Sequence, residues 1–274
     1  MGRKFWKMSG SGNDFVVFDV RGVGAGREPL ERPEAIEGLC ARGTGVGADG
    51  VVFVAESSLP GASLAMRYYN SDGSRGALCG NATLCVTRLS PELGIRSASG
   101  LVLETDSGLV SARNGEWGPE IDLPPVTETE AAATLATVPG ETSIGYAVVG
   151  VPHLVVRCSD VATIPVAARG GELRNAGYGA GGSNVNFVSA RDGVWSIRTF
   201  ERGVEAETLA CGSGAVATAI LLAMWRESGE STFLRTRSGR PLGVRLRRDG
   251  SSWIPTLAGE GRIVFTGEIA ELSI

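Results

Sequence analysis

Two stretches of the chain carry chemically capable residues in the same order. Cys79 is followed by Gly80, Asn81 and Ala82, and Cys211 by Gly212, Ser213 and Gly214. Each Cys-Gly comes after a strand-like run and a polar loop: residues 66–70 lead to the first, residues 197–202 to the second. Each is followed by an apolar run. Gly, Ser and Asn ahead of such a run mark a helix start, so both cysteines are expected at helix N-termini. There the positive end of the helix dipole favours a thiolate, and unpaired N–H groups form a site for a carboxylate. A thiolate on one face of a carbon and a thiol on the other can remove one proton and return another with inversion. The difficulty is the weak acidity of a carbon next to a carboxylate, and donors at helix starts would stabilise the charge that develops. No cofactor is required in principle.

The elements that must position these groups follow from the pattern. The two cysteines lie about half a chain apart, which points to an internal duplication and two similar domains. Residues 4–8 and 14–20 read as strands around a Ser/Gly turn. Residues 33–40 read as a short helix, and 43–50 as a glycine turn before a strand at 51–55. That turn lacks the Lys-Ser/Thr of a phosphate loop and the spacing of a dinucleotide fingerprint. Residues 64–70 form the strand before Cys79, and 82–89 the first central helix. Short strands are expected at 101–105, 109–113 and 120–123. Pro124, Pro125 and the Thr/Glu/Ala-rich stretch to 136 read as a linker. In the second half, strands are expected at 146–149, 154–158, 184–188 and 195–200. A glycine-rich loop fills 176–183, and closing strands fall at 232–236, 242–246 and 262–269. The run 215–225 is apolar all round, as for a helix buried on every side. The expected class is α/β (α+β), with mostly antiparallel sheets wrapped around one central helix per half. The expected domains are 1–123 and 124–263.

Composition narrows the function. The chain has 274 residues, 43% hydrophobic and 20% charged, and 40 glycines, as for a globular protein rich in turns. A net charge of −4 gives no basic footprint for nucleic acid. The first residues lack the apolar segment of a signal peptide, and no run is long enough to suggest a membrane span. Five irregularly spaced cysteines and one histidine argue against structural zinc and a disulfide framework. Free thiols in a cytoplasmic enzyme fit better.

Taken together the motifs resemble the diaminopimelate epimerase family. They are Gly12-Asn13-Asp14-Phe15-Val16-Val17, Gly45-Val46-Gly47-Ala48-Asp49-Gly50, Asn70-Ser71-Asp72-Gly73-Ser74, Cys79-Gly80-Asn81, Pro152-His153, Asn184-Val185-Asn186-Phe187-Val188 and Glu201-Arg202 through Cys211-Gly212-Ser213-Gly214. The resemblance implies two pseudo-symmetric domains with the active site in the cleft between them, a final strand at 264–274 returning to the first domain, a homodimer, and no cofactor. It implies conversion of LL-diaminopimelate to the meso form, for lysine and peptidoglycan synthesis. Cys79 and Cys211 would be the acid/base pair. Gly80, Asn81, Gly212 and Ser213 would offer donors to the reacting carboxylate. Asn13, Asn70, Asn184, Glu201 and Arg202 would hold the substrate, Arg202 by a bidentate grip on the far carboxylate. His153 would orient or tune the centre. The partner is a small amino acid, not nucleic acid or membrane.

Five positions depart from the family pattern. Val151 stands where an Asn often precedes Pro-His. Ala82-Thr83-Leu84 replaces the usual Gly-Ala-Arg, and Ser213 a usual Thr. Val151 keeps open a two-cysteine racemase of another amino acid. A non-catalytic amino-acid binding protein of the same fold would bind ligand without exchanging its α-proton. An isomerase without thiol chemistry fits poorly with both cysteines present. A disulfide between facing thiols would make oxidation inhibitory.

Overall fold

A computed structural model describes residues 2–23, 29–95, 97 and 100–270. The chain divides into two compact units, Met1–Ile121 with Gly259–Ile274, and Asp122–Ala258.

The chain opens with β1 (Arg3–Gly10) and β2 (Asn13–Asp19), then α1 (Pro33–Cys40), β3 (Gly50–Ala55), β4 (Leu64–Asn70) and β5 (Arg75–Gly76). α2 (Gly80–Leu89) follows, then β6 (Leu101–Thr105), β7 (Gly108–Gly115) and β8 (Gly118–Asp122). The second unit runs β9 (Thr129–Glu130), β10 (Glu141–Val149), β11 (Val151–Cys158), α3 (Val166–Arg174), β12 (Asn184–Arg191), β13 (Val194–Glu201) and β14 (Ala206–Thr208). It continues with α4 (Gly212–Met224), β15 (Ser231–Arg235), β16 (Pro241–Asp249) and β17 (Ser252–Gly259). The last element, β18 (Arg262–Ile269), lies antiparallel on β1 in the first unit. The expected returning strand ran to residue 274, and residues 271–274 lie outside the described residues.

The duplication is explicit in the strand pairing. In the first unit β1–β2 and β3–β4 are antiparallel hairpin-type pairs, β2–β3 is parallel, and β4 pairs antiparallel with β5 and parallel with β6. The second unit repeats this with β10–β11, β12–β13, β11–β12, β13–β14 and β13–β15. The parallel pairs arise because a crossover carrying a helix returns the chain in the same direction. They add to the antiparallel pairing read from the sequence. Even the outer neighbour is matched: β18 covers β1, and β9 covers β10.

Strand alternation sends successive side chains to opposite faces. In the first unit Val16, Phe18, Val51, Phe53 and Tyr69 join Ile36 and Leu39 of α1 in one core cluster. Phe18 stacks on Phe53 with ring centroids 5.5 Å apart. The opposite face is left for α2, which packs on β1, β2, β4, β7 and β18. In the second unit α4 packs on β10, β11, β12, β15 and β16. It is buried from Gly214 through Leu222, as an all-apolar helix requires.

Several elements were not legible in the sequence. α3 contains Gly170-Gly171, which hides its helical pattern. β17 and the short strands β5, β9 and β14 also went unread. The stretch expected as a linker is paired structure within the second unit. Val126 exchanges backbone hydrogen bonds with Trp253 at 2.8 and 2.9 Å, and Ala133 donates to Ile144 at 2.8 Å. Among the described residues no helix is long and apolar enough to cross a membrane.

Candidate active site

Each unit places one cysteine at the mouth of its central helix. Cys79 is the N-cap of α2, with extended backbone at φ −126° and ψ 112°. The intrahelical ladder begins with Thr83 N–H donating to the Cys79 carbonyl at 2.9 Å, so the N–H groups of Gly80 and Asn81 precede it. The Asn81 side chain is 3% exposed. Its Nδ2 donates to Asn13 Oδ1 at 2.7 Å, and its own Oδ1 is buried with no hydrogen-bond partner among the described residues.

Asn13 is held in turn by a charged network. Its Nδ2 donates to Asp49 Oδ2 at 3.1 Å, and Arg42 Nη2 bridges Asp14 at 2.7 Å and Asp49 at 2.8 Å. Lys7, although buried, places Nζ 2.7 Å from Asp14 Oδ2 and also donates to the Gly47 carbonyl. Burial alone would raise the Asp14 carboxyl, but hydrogen bonds from Arg42 and Lys7 hold it below the usual range. The glycine turn at 43–50 is thereby tied to the start of β2. Asn70, at the end of β4, donates to Ser74 Oγ at 3.0 Å and accepts from the Tyr68 hydroxyl at 2.9 Å.

Cys211 is the N-cap of α4, at φ −132° and ψ 113°, almost the backbone conformation of Cys79. Its Sγ accepts the Gly214 N–H at 3.3 Å, and Ser213 Oγ lies 3.6 Å away. Arg202 Nη1 donates to the carbonyls of Ala180 and Gly182, each at 3.1 Å, which fixes the guanidinium on the glycine-rich loop. The Arg202 backbone N–H donates to Asn184 Oδ1 at 2.8 Å, so this Asn supports the arginine directly. Glu201 Oε1 accepts from Thr208 Oγ1 at 2.5 Å.

His153 is fully buried on β11. Its Nδ1 lies 3.2 Å from Asn186 Nδ2, which also donates to the Leu154 carbonyl at 3.0 Å. An amide nitrogen can only donate, so Nδ1 accepts and Nε2 carries the proton. That Nε2 has no hydrogen-bond partner among the described residues. Burial first, and Arg202 second, push the imidazole down to about 3, so His153 is neutral. Asn186 Oδ1 accepts from Thr199 Oγ1 at 3.0 Å. A Cβ placed on Gly214 would lie 2.2 Å from Asn186 Oδ1 and 3.2 Å from Cys211 Sγ. Asn186 thus links His153 to the cysteine through the first turn of α4, and only a residue without a side chain fits at Gly214.

The other cysteines differ. Cys40, Cys85 and Cys158 are buried, whereas Cys79 and Cys211 are half-buried. Desolvation pushes the Cys40 thiol to about 11, Cys158 to about 12 and Cys85 well above the ordinary value. These three are core groups, as read for Cys85. Asn186, Thr199 and Tyr68 were missed as site residues. They sit in strands that look like ordinary sheet, and only period-two alternation marks them as facing the helix side. Among the described residues no group of three or more His, Cys, Asp or Glu side chains is placed to hold a metal.

The architecture is that of a known two-domain fold. It is shared with a Bacillus anthracis phenazine biosynthesis protein of the PhzF family, at TM-score 0.76 and 15% identity, covering 99% of this chain and 100% of that one. A hydroxyproline epimerase from Agrobacterium vitis, solved with bound trans-4-hydroxy-L-proline, aligns at TM-score 0.69 and 19% identity over 98% of this chain and 92% of that one. The fold class is therefore α+β, the two-domain epimerase and PhzF type. Within it the chain belongs to the diaminopimelate epimerase family of isomerases, whose sequence model matches residues 5–121 and 145–263. A diaminopimelate epimerase of Gemmatimonas aurantiaca is 49% identical, covering 98% of this chain and 99% of its own. One from Aquifex aeolicus is 35% identical, covering 98% of each chain.

Proposed function

We propose that this protein epimerises LL-diaminopimelate to the meso form by two-cysteine acid/base chemistry without a cofactor. The observation that carries the reading is the duplication at atomic level. Two half-buried thiols occupy the N-cap of the two central helices, in near-identical backbone conformation, each followed by first-turn N–H donors.

In the forward direction one cysteine, as thiolate, takes the α-proton. The other, as thiol, delivers a proton to the opposite face of the same carbon. The reverse reaction exchanges the roles. General acid/base catalysis of this kind contributes about 10²- to 10⁴-fold. The N–H groups around Gly80, Asn81, Gly212 and Ser213 receive the reacting carboxylate and stabilise the charge it gains as the proton leaves. Arg202, held by two carbonyls, presents its remaining donors to the distal carboxylate. Asn13, Asn70, Asn184 and Glu201 hold the substrate's polar ends. The buried Asn81 Oδ1 is an acceptor suited to an ammonium group. His153 stays neutral and offers an Nε2–H donor, not a proton. We place the enzyme in the cytoplasm as a homodimer, serving lysine and peptidoglycan synthesis.

The test is proton exchange in heavy water, with LL-diaminopimelate and a panel of other amino acids. Deuterium incorporation with inversion for diaminopimelate, lost in Cys79→Ala and in Cys211→Ala, is the expected result. Inversion of a different amino acid instead would favour the racemase reading and direct attention to Val151. Binding without exchange would leave a non-catalytic binding protein.

A further inference from the structure

Two arginines share the glycine-rich loop at 176–183. Arg202 Nη1 donates to the carbonyls of Ala180 and Gly182, and Arg174 Nη1 donates at 2.8 Å to the Gly181 carbonyl between them. Gly181 and Gly182 both lie at positive φ, 74° and 82°, which glycine adopts freely. A Cβ on Gly182 would collide with Arg174 Nη1. Arg174 also ends α3, and its carbonyl accepts the Ser183 N–H at 3.1 Å, so the loop leaves from this residue and returns to it.

The rest of the Arg174 guanidinium grips Glu205. Its Nε donates to Oε1 at 2.9 Å and to Oε2 at 3.0 Å, and Nη2 lies 2.9 Å from Oε1. Glu205 belongs to the turn that follows Arg202. Its backbone N–H donates to the Glu201 carbonyl at 2.8 Å, and its Oε1 accepts the Gly203 N–H at 3.0 Å. Its φ of 56° is uncommon for a residue with a side chain, and such a conformation persists where the surroundings impose it. Arg202 therefore sits between a loop and a turn that are both tied to Arg174. Among the described residues no carboxylate lies within ion-pair distance of Arg202, whereas Glu205 neutralises Arg174. With Nη1 committed to the loop, the Nε–Nη2 edge of Arg202 is the one that can take a carboxylate bidentately.

We propose that the Arg174–Glu205 pair is a positioning device for Arg202, holding its guanidinium in the orientation that grips the distal carboxylate of a dicarboxylic amino acid. The inference rests on the reading of Arg202 as the group for that carboxylate. Neither Arg174 nor Glu205 touches the substrate. They act through the loop carbonyls and the turn, so they govern binding and leave the reacting carbon alone. A partly exposed ion pair adds little to global stability, so its loss should be felt locally.

The experiment joins two measurements on Arg174→Gln, Glu205→Gln and the double variant. Hydrogen–deuterium exchange of the free protein, read by peptide mass spectrometry, should quicken on the order of tenfold across residues 176–183 while the melting temperature stays near wild type. KM for diaminopimelate should rise roughly tenfold with kcat little changed, the mark of lost binding that the ground and transition states share. The double variant should do no more than either single one, because both remove the same link. Arg174→Lys should behave like Arg174→Gln, since an ammonium lacks the fork that reaches Glu205 and Gly181 together. Unchanged exchange at 176–183 in Arg174→Gln overturns the proposal. So does an unmoved KM beside faster exchange, additivity in the double variant, full rescue by lysine, or an early melt with kcat and KM damaged alike. A wild type that leaves diaminopimelate unchanged would instead overturn the substrate reading, while exchange at 176–183 would still judge the clamp.

Discussion

The two cysteine-bearing helix starts share a scaffold and differ in what surrounds each thiol. Strand order places Tyr68 opposite Val52 in the first unit and Thr199 opposite Asn186 in the second. Phe15 opposite Gly50 corresponds to His153 opposite Asn184. Asn13 and Val151 each begin the strand that carries these residues. The first unit ties its asparagines to a network of Lys7, Asp14, Arg42 and Asp49. The second gives its cysteine a helix-capping N–H and a neutral chain, Thr199–Asn186–His153. Duplication preserved the backbone that puts a thiol at a helix start. It did not preserve the groups that set how each thiol behaves. A charged, half-exposed network resists change through ion pairs that solvent screens. A buried neutral chain resists change because any broken link leaves an unpaired group, at a cost of about 1–3 kcal/mol.

The sharpest way to break the comparison is to remove each thiol separately. Cys79→Ala and Cys211→Ala should each lower turnover at least about 10²-fold. A large loss in only one would show that the halves are not equivalent partners. With both thiols present and chemistry limiting, the rate should be bell-shaped in pH.

Gly214→Ala should come next in size. The added Cβ meets Asn186 Oδ1 at 2.2 Å, so either the amide or the helix must move. Overpacking of this kind costs about 1–3 kcal/mol, seen as an earlier melt and roughly 10- to 100-fold lower kcat. The equivalent position in the first unit, Ala82, already carries a Cβ and is fully buried. Ala82→Gly should cost only about 0.5–1 kcal/mol, through helix propensity. Equal effects at the two positions would contradict the asymmetry.

Acid stability separates the halves without touching catalysis. His153 is held near 3 in the fold against 6.5 when exposed. The unfolded chain binds the proton first, so stability is full above 6.5 and falls as pH drops from there. The slope is at most about 1.4 kcal/mol per pH unit for one proton. Asp14, depressed by Arg42 and Lys7, contributes stability above the ordinary carboxylate range and loses it only as pH falls below that range. Calorimetric melting followed from about pH 7 down to about pH 4 starts above the titration of an exposed histidine and stops short of the depressed carboxylate. It should therefore report mainly on the second unit. His153→Gln should flatten the dependence there, and Asp14→Asn should leave it in place.

The smallest effect is expected at Val151→Asn, which restores a polar residue at the position equivalent to Asn13. One neutral hydrogen bond is worth about 1 kcal/mol, so KM for diaminopimelate should fall severalfold with kcat unchanged. No change would show that the second unit has no polar contact to regain there.

Much of this was legible in the residue order alone. The proline at the head of α1, the alternating run of β4 and the apolar run of α4 carry their own boundaries. The paired cysteines stood out because the pattern around them occurs twice. Tyr68 did not stand out, because two aromatic residues in a strand look like core, and nothing local says that only one of them is. Asn186 read as the second Asn of a strand. His153 read as a polar group near chemistry, and only its complete burial shows that it is neutral.

By itself the sequence determined most of the longer elements, that the pattern around the cysteines occurs twice, and that a cysteine stands at the start of each central helix. These depend on propensity, periodicity and turn chemistry, which act over a few residues. Only the tertiary structure decided that the Tyr68 hydroxyl meets Asn70, that Asn81 reaches Asn13, and that Asn186 bridges His153 to the first turn of α4. Such bonds require atoms to approach within about 3 Å, and strands brought together by crossovers set that approach. Residue order places a side chain on a face, and packing chooses its partner.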